Sequence, residues 1–149
     1  LVGSYHVIYS RWLRERVERE SALSHYNSMN VLSMHALTAA YSPEGAEWVD
    51  QLCRTLTENA ARAWDYFDRH VPGVSAAMPE GTYMLFLDCS RWCRDHGRTI
   101  GQLLKAGWDV GWQDGRAFHG PCHIRVNLAL PRSRVEEALD RLERYVFCE

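Results

Sequence analysis

The feature that most constrains the fold of this chain is an alternating segment near its C-terminal end. Its aliphatic residues alternate with polar or small ones: Ile124, Val126, Leu128 and Leu130 against Arg125, Asn127 and Ala129. A period of two predicts a β-strand that buries the aliphatic side chains on one face of a sheet and directs Arg125 to the other face. The loop before this strand, Gly115 to Cys122, is rich in turn-forming residues. The chain therefore needs a sheet with one covered face and one face that carries an arginine.

Hydrophobic periodicity and turn residues divide the remainder into helices and further strands. The predicted helices are Arg11 to about Asn27, Ser28 to Tyr41, Ser42 to about His70, Thr99 to Ala106, and Pro131 to Phe147. The predicted strands are Leu1 to Tyr9, Val74 to Met78, Tyr83 to Asp88, Asp109 to Gln113, and His123 to Leu130. This pattern indicates an α/β fold of the α+β type, in which helices cover one face of an antiparallel or mixed sheet.

Three local signals refine these helices. Ser42 before Pro43 predicts an N-cap followed by a first helical residue, and Ser133 with Glu136 has the spacing of a capping box. The small and apolar residues between Ser28 and Tyr41 are typical of a buried helix. The strand expected at Leu1 to Tyr9 needs a partner strand, so we expect further residues in front of it.

The composition of the chain argues against several classes of function. The net charge is -2, and acidic and basic residues are interspersed, which disfavours binding to nucleic acid or to an anionic membrane surface. No apolar run approaches the roughly 20 residues that span a bilayer, and the first residues lack the charged region of a signal peptide. The five cysteines are odd in number and form no Cys-x-x-Cys pair, so we expect reduced thiols and a cytoplasmic protein.

Other catalytic or metal-binding motifs have weak support. His119, Cys122 and His123 are potential zinc ligands, but three ligands within five residues around a proline form an awkward tetrahedral site. Cys89 and Cys93 are better explained by helical packing. The chain has no Gly-x-Ser-x-Gly motif of a serine hydrolase and no glycine-rich loop of the phosphate-cradling type. From spacing alone, Arg125 is either a carboxylate-binding arginine or a solvated one on an open sheet face.

Several segments together resemble the class I/II aminotransferases, the fold-type I enzymes that use pyridoxal phosphate. The residues that carry the resemblance are Leu1-Val-Gly-Ser-Tyr-His-Val-Ile, Asn30 to Tyr41, Trp48 to Leu52, Pro79-Glu-Gly-Thr-Tyr-Met-Leu-Phe-Leu-Asp88, and Arg-x-Asn-x-Ala-x-Pro-Arg from Arg125 to Arg132. The last two are similar to the carbon-sulfur β-lyase branch of the cystathionine β-lyase type. His119, which separates Phe118 from Gly120, and Leu130 depart from the family pattern.

The resemblance implies a division of the chain and roles for two residues. Residues 1–27 would be the end of a truncated large, cofactor-binding domain, and residues 28–149 the C-terminal small domain. Arg125 would bind the α-carboxylate of an amino-acid substrate. Tyr83 would face the substrate cleft or a partner subunit, although a half-buried strand aromatic is an equally good interpretation of this residue.

The resemblance also implies what the chain lacks. The enzymes of this family hold pyridoxal phosphate on a lysine of the large domain, whereas the only lysine here is Lys105, in a predicted helix of the small domain. The full-length parent would use pyridoxal phosphate and form a homodimer; we expect this fragment alone to bind no cofactor and to be inactive. The parent activity is transamination or carbon-sulfur β-elimination. The alternatives are a non-catalytic binding module and the sensor domain of a regulator.

Overall fold

The computed structural model describes residues 4–24 and 29–148, and the chain divides into two compact units, Leu1–Asp50 and Gln51–Glu149. Within the first unit, α1 is Arg11–Ser24, α2 is Val31–Ala40, and α3 begins at Pro43 and extends to His70 in the second unit. The Asn30 side chain accepts a hydrogen bond from the Ser33 N–H at 2.8 Å and caps α2. Ser42 Oγ accepts one from the Gly45 N–H at 3.1 Å, which confirms the predicted N-cap of α3.

Two expectations for the first unit are wrong. Residues 4–10 have no regular secondary structure, and Leu1 to Gly3 lie outside the described residues. The described chain supplies no partner strand for this segment, so its backbone forms no sheet ladder. The helix α2 is not buried either, because Val31, Leu32 and Met34 are 66%, 68% and 54% exposed. The predicted first helix was expected to reach about Asn27; α1 ends at Ser24, and residues 25–28 are outside the described part.

The second unit contains a four-stranded sheet and the remaining helices. Its elements after α3 are β1 Ser75–Ala76, β2 Met84–Asp88, α4 Ser90–Asp95, α5 Ile100–Ala106, β3 Gln113–Asp114, β4 His123–Asn127 and α6 Arg132–Tyr145, with short 3-10 segments at Trp108–Val110 and Gly115–Phe118. The strand order is β1-β2-β4-β3, and each neighbouring pair is antiparallel. The predicted α+β fold with an antiparallel sheet is confirmed.

One face of the sheet is packed against helices. Leu85 and Leu87 of β2 and Ile124 of β4 are fully buried in one apolar cluster. The cluster also contains residues of α3 and α6: Ala60, Ala63, Phe67, Val135, Leu139 and Leu142. Asn59 of α3 ties the helix to the end of β4, because its Nδ2 donates to the carbonyls of Leu128 at 3.0 Å and Leu130 at 2.9 Å. The helical layer therefore fixes the position of β4 and determines which of its side chains point into the core.

Three local expectations for the second unit differ from the structure. The segment Asp109 to Gln113 contains a 3-10 turn, and only Gln113–Asp114 pairs with β4. The Ser133–Glu136 capping box does not form, because α6 begins earlier, after Pro131, and Glu136 instead binds Arg132 and Arg62, each at 3.0 Å. Leu130 lies beyond the strand and is 45% exposed. Among the described helices, none has the length and apolar character required to cross a membrane.

Candidate functional site

Arg125 lies on the sheet face opposite the helical layer. The register places it opposite Phe86 on β2 and opposite Gln113 on β3. Its neighbours in sequence, Ile124 and Val126, belong to the set that faces or packs against the core. The alternation predicted from the sequence is therefore present through Leu128, and it directs the guanidinium away from the core.

The guanidinium of Arg125 lies over the ring of Phe118, with Cζ 3.7 Å from the ring centroid. In the described part of the chain, Arg125 has no carboxylate within ion-pair distance and no side-chain hydrogen bond, whereas Arg116, Arg132, Arg134 and Arg141 are all paired. A guanidinium carries five N–H donors in one plane and no acceptor. Arg125 therefore presents a positive charge and N–H donors on the open face of the sheet. A carboxylate bound there would accept hydrogen bonds from these donors.

The 3-10 segment Gly115–Phe118 presses closely against β4 and carries Phe118. A Cβ at Gly115 would collide with the backbone of His123, and one at Gly120 would collide with the His123 side chain and with Phe86. Only glycine permits this close approach at both positions. Asp114 caps the segment by accepting the Arg116 N–H at 2.9 Å, and the Arg116 side chain, its Nε 2.9 Å from Asp114 Oδ2, lowers the pKa of that carboxyl.

Beside Arg125, an aromatic pair lies on the same face of the sheet. Phe86 and His123 stack with ring centroids 4.6 Å apart and an interplanar angle of 29°. They occupy diagonal positions on neighbouring strands, since Phe86 is opposite Arg125 and His123 is opposite Asp88. The pKa of Asp88 is lowered, first by the Ser90 hydroxyl and backbone and more weakly by His123. The sequence alone does not predict this pair, because the alternation in β2 does not specify the register of Phe86 against β4.

Tyr83, the other predicted site residue, precedes β2 and is 46% exposed. Its carbonyl accepts the Leu128 N–H at 2.8 Å and so extends the pairing of β2 with β4 by one bond. The register brings Phe86 to Arg125, three residues farther along β2 than Tyr83. Tyr83 therefore has a defined structural task at the start of the strand, and its contact with a substrate stays a prediction.

Two other features of the sequence are candidates for ligand binding: Lys105 and the set of His119, Cys122 and His123. Lys105 is exposed in the last turn of α5, where a cation complements the helix dipole. Within the described part of the chain, no three His, Cys, Asp or Glu side chains are grouped closely enough to hold a metal ion. His119, Cys122 and His123 therefore do not form a metal site in this structure.

The cysteines are free thiols in the structure. Cys89 and Cys93 are buried, and Cys93, in α4, is hydrogen-bonded to the side chain of Cys122. Burial, helped by the neighbouring Cys122, raises the pKa of Cys93 to about 11, and burial also raises the pKa of Cys89. Thiols of raised pKa are poor nucleophiles at neutral pH, so this cluster is a packing feature rather than a reactive centre.

Solved structures contain the same fold as part of a larger enzyme. The PLP-bound "putative aminotransferase" from Clostridium difficile 630 superposes with a TM-score of 0.79 and 28% identity, over 92% of this chain and 35% of that one. Cystalysin from Treponema denticola, which contains a pyridoxal 5'-phosphate cofactor, superposes with a TM-score of 0.74 and 25% identity, over 93% of this chain and 35% of its own. The fold is thus that of the C-terminal part of fold-type I pyridoxal-phosphate enzymes.

Sequence comparison identifies relatives of this chain among these enzymes. A "Putative cystathionine beta-lyase" of Mycobacterium leprae (strain TN) is 32% identical over 137 residues, which cover 76% of this chain and 31% of the relative. No protein-family model matches the chain. The chain spans about a third of the length of the relatives it matches. It is homologous to cystathionine beta-lyases and class I/II pyridoxal-phosphate aminotransferases, which confirms the resemblance seen in the sequence.

Proposed function

We propose that this chain is the C-terminal part of a pyridoxal-phosphate enzyme that acts on amino acids, and that Arg125 binds the α-carboxylate of the substrate. The observation that carries the proposal is the environment of the Arg125 side chain. It lies on the uncovered sheet face, is held against Phe118, and lacks an ion pair among the described residues. The homology to cystathionine beta-lyases and aminotransferases supports the substrate class.

The chemistry of Arg125 in this role is binding and orientation. The planar fork of a guanidinium matches the two oxygens of a carboxylate, and each charge-assisted hydrogen bond contributes about 1.5–3 kcal/mol when sheltered from water. Two parallel bonds also fix the direction in which the substrate amine and α-carbon point. The cofactor, when bound to the rest of the parent, supplies an electron sink for the α-carbon. Residues of this chain hold the substrate in place for that chemistry.

Substitution of Arg125 in the full-length parent tests the proposal. Arg125→Ala should raise KM for amino acids about 30-fold or more, because a loss of about 2 kcal/mol of binding corresponds to that factor. Arg125→Lys should lie between the wild type and alanine, since lysine keeps the charge but loses the fork. Arg91→Ala removes an exposed arginine from α4 and serves as the matched control. Unchanged KM in Arg125→Ala would remove Arg125 from substrate binding.

The reaction of the parent is transamination or carbon-sulfur β-elimination, and the names of the sequence relatives favour elimination. Elimination would release a thiol, ammonia and a 2-oxo acid from a sulfur-containing amino acid, whereas transamination would leave the sulfur substituent on the 2-oxo acid. A thiol-specific assay on a thioether amino acid therefore separates the two. We further propose that residues 1–27 end the large domain, that Tyr83 borders the substrate, and that the parent is a cytoplasmic homodimer.

A further inference from the structure

We propose that Phe118 is a positioning residue, which fixes the plane of the Arg125 guanidinium so that its N–H edge is presented to the substrate carboxylate. The inference rests on the proposed function of Arg125 and assigns the orientation of that group to a second residue. The motivating contact is the guanidinium over the Phe118 ring, with Cζ 3.7 Å from the centroid.

The distance restricts the orientation of the guanidinium. At 3.7 Å the Cζ lies within the range of optimal van der Waals contact with the ring. If a C–N bond of about 1.33 Å pointed at the ring, a nitrogen would come to within about 2.4 Å of it, far inside contact distance. That orientation is excluded, so no C–N bond points straight at the ring. In the proposed geometry the guanidinium is stacked on the ring, and its N–H bonds point outward from its edge.

Phe118 is suited to this task because the segment that carries it is fixed on β4. Gly115 and Gly120 bring the segment into contact with His123, two residues before Arg125 on the same strand. The Asp114–Arg116 pair caps the first turn. The ring is 47% exposed, so its burial alone does not account for its position. An exposed aromatic ring over a cation contributes about 0.5–1 kcal/mol, enough to favour one side-chain orientation several-fold.

A double-mutant cycle in the full-length parent tests the positioning role. Phe118→Leu should raise KM for amino acids about two- to fivefold with little change in kcat, and Phe118→Tyr should restore a value near that of the wild type because it keeps the ring. In an Arg125→Ala background, Phe118→Leu should have no further effect on KM. An equal effect of Phe118→Leu in both backgrounds would assign Phe118 to general packing and overturn the proposal.

A second measurement on the 149-residue chain is independent of activity. In its NMR spectrum, the δ-methylene and Nε protons of Arg125 should be shifted upfield by the ring, and Phe118→Leu should abolish this shift while Phe118→Tyr preserves it. A wild-type chain without the shift would overturn the positioning role even if Arg125 proves essential. The opposite result, a clear shift with KM unaffected by Arg125→Ala, would refute the proposed function and with it the use of this geometry.

Discussion

At the scale of single residues, His119 is the strained member of the loop that carries Phe118. It adopts the left-handed conformation, with φ 63° and ψ 15°. A side chain with a Cβ pays about 1–2 kcal/mol for this conformation, whereas glycine does not. His119 is also the residue that departs from the family pattern between Phe118 and Gly120. The loop therefore keeps its shape at a cost in stability.

Replacing His119 with glycine should raise the free energy of unfolding of the chain by about 0.5–1 kcal/mol, after allowing for the greater entropy of glycine in the unfolded state. The measurement is urea denaturation followed by far-ultraviolet circular dichroism. His119→Ala is the matched control, because it removes the imidazole but keeps the Cβ, and it should give no gain. Equal stability of the glycine and alanine variants would show that the backbone at this position is unstrained.

At the scale of elements, the position of Arg125 depends on how α3 holds the end of β4. Asn59 is 1% exposed, and its Nδ2 donates to two carbonyls that follow the strand, those of Leu128 and Leu130. The sheet ladder does not satisfy these carbonyls. One buried amide therefore sets where β4 stops and the chain turns toward α6.

Removal of this amide should be costly. Asn59→Ala should lower the free energy of unfolding by about 2–3 kcal/mol, because it deletes two buried hydrogen bonds. The Leu130 carbonyl then has no donor among the described residues, and the Leu128 carbonyl keeps only the Leu130 N–H. Thermal and urea unfolding of the chain would measure this, with Thr55→Ala on the exposed side of the same helix as the control. A loss below about 0.5 kcal/mol would mean that water replaces the amide and that the tie to β4 is dispensable.

These elements also show what the sequence could predict. The start of α3 follows from Ser42 and Pro43, and its end from the sequence Val71-Pro72-Gly73, which cannot continue a helix. Both limits can be predicted because helix capping and helix termination are local. The direction of the Arg125 side chain, away from the core, follows from the alternation of apolar and polar residues in β4. The contact of Phe118 with Arg125 could not be predicted, since it depends on a loop conformation that no periodic pattern encodes. Strand pairing across β2 and β4 is likewise non-local, and a period of two does not specify a partner.

At the scale of the whole molecule, the first unit exposes many large hydrophobic side chains. Among its described residues, the large hydrophobic side chains that are exposed are Tyr5, Val7, Tyr9, Trp12, Leu13, Val17, Leu23, Val31, Leu32, Met34, Tyr41, Trp48 and Val49. The helix α2 has apolar residues on every side, with Ser33, His35 and Thr38 between them, and helices without a distinct polar face are normally buried. The prediction of α2 as a buried helix was wrong for the chain described here, which spans about a third of the length of its relatives.

The proposed role of Arg125 requires that a substrate carboxylate binds its guanidinium in the full-length parent. The most direct measurement compares kcat/KM for an amino acid and for its α-carboxamide, in the wild-type parent and in Arg125→Ala. The wild type should prefer the carboxylate by at least about 30-fold, because the neutral amide cannot form two charge-assisted bonds, and Arg125→Ala should lose most of that preference. A preference of the same size in both enzymes would contradict the assignment of Arg125 to the substrate carboxylate.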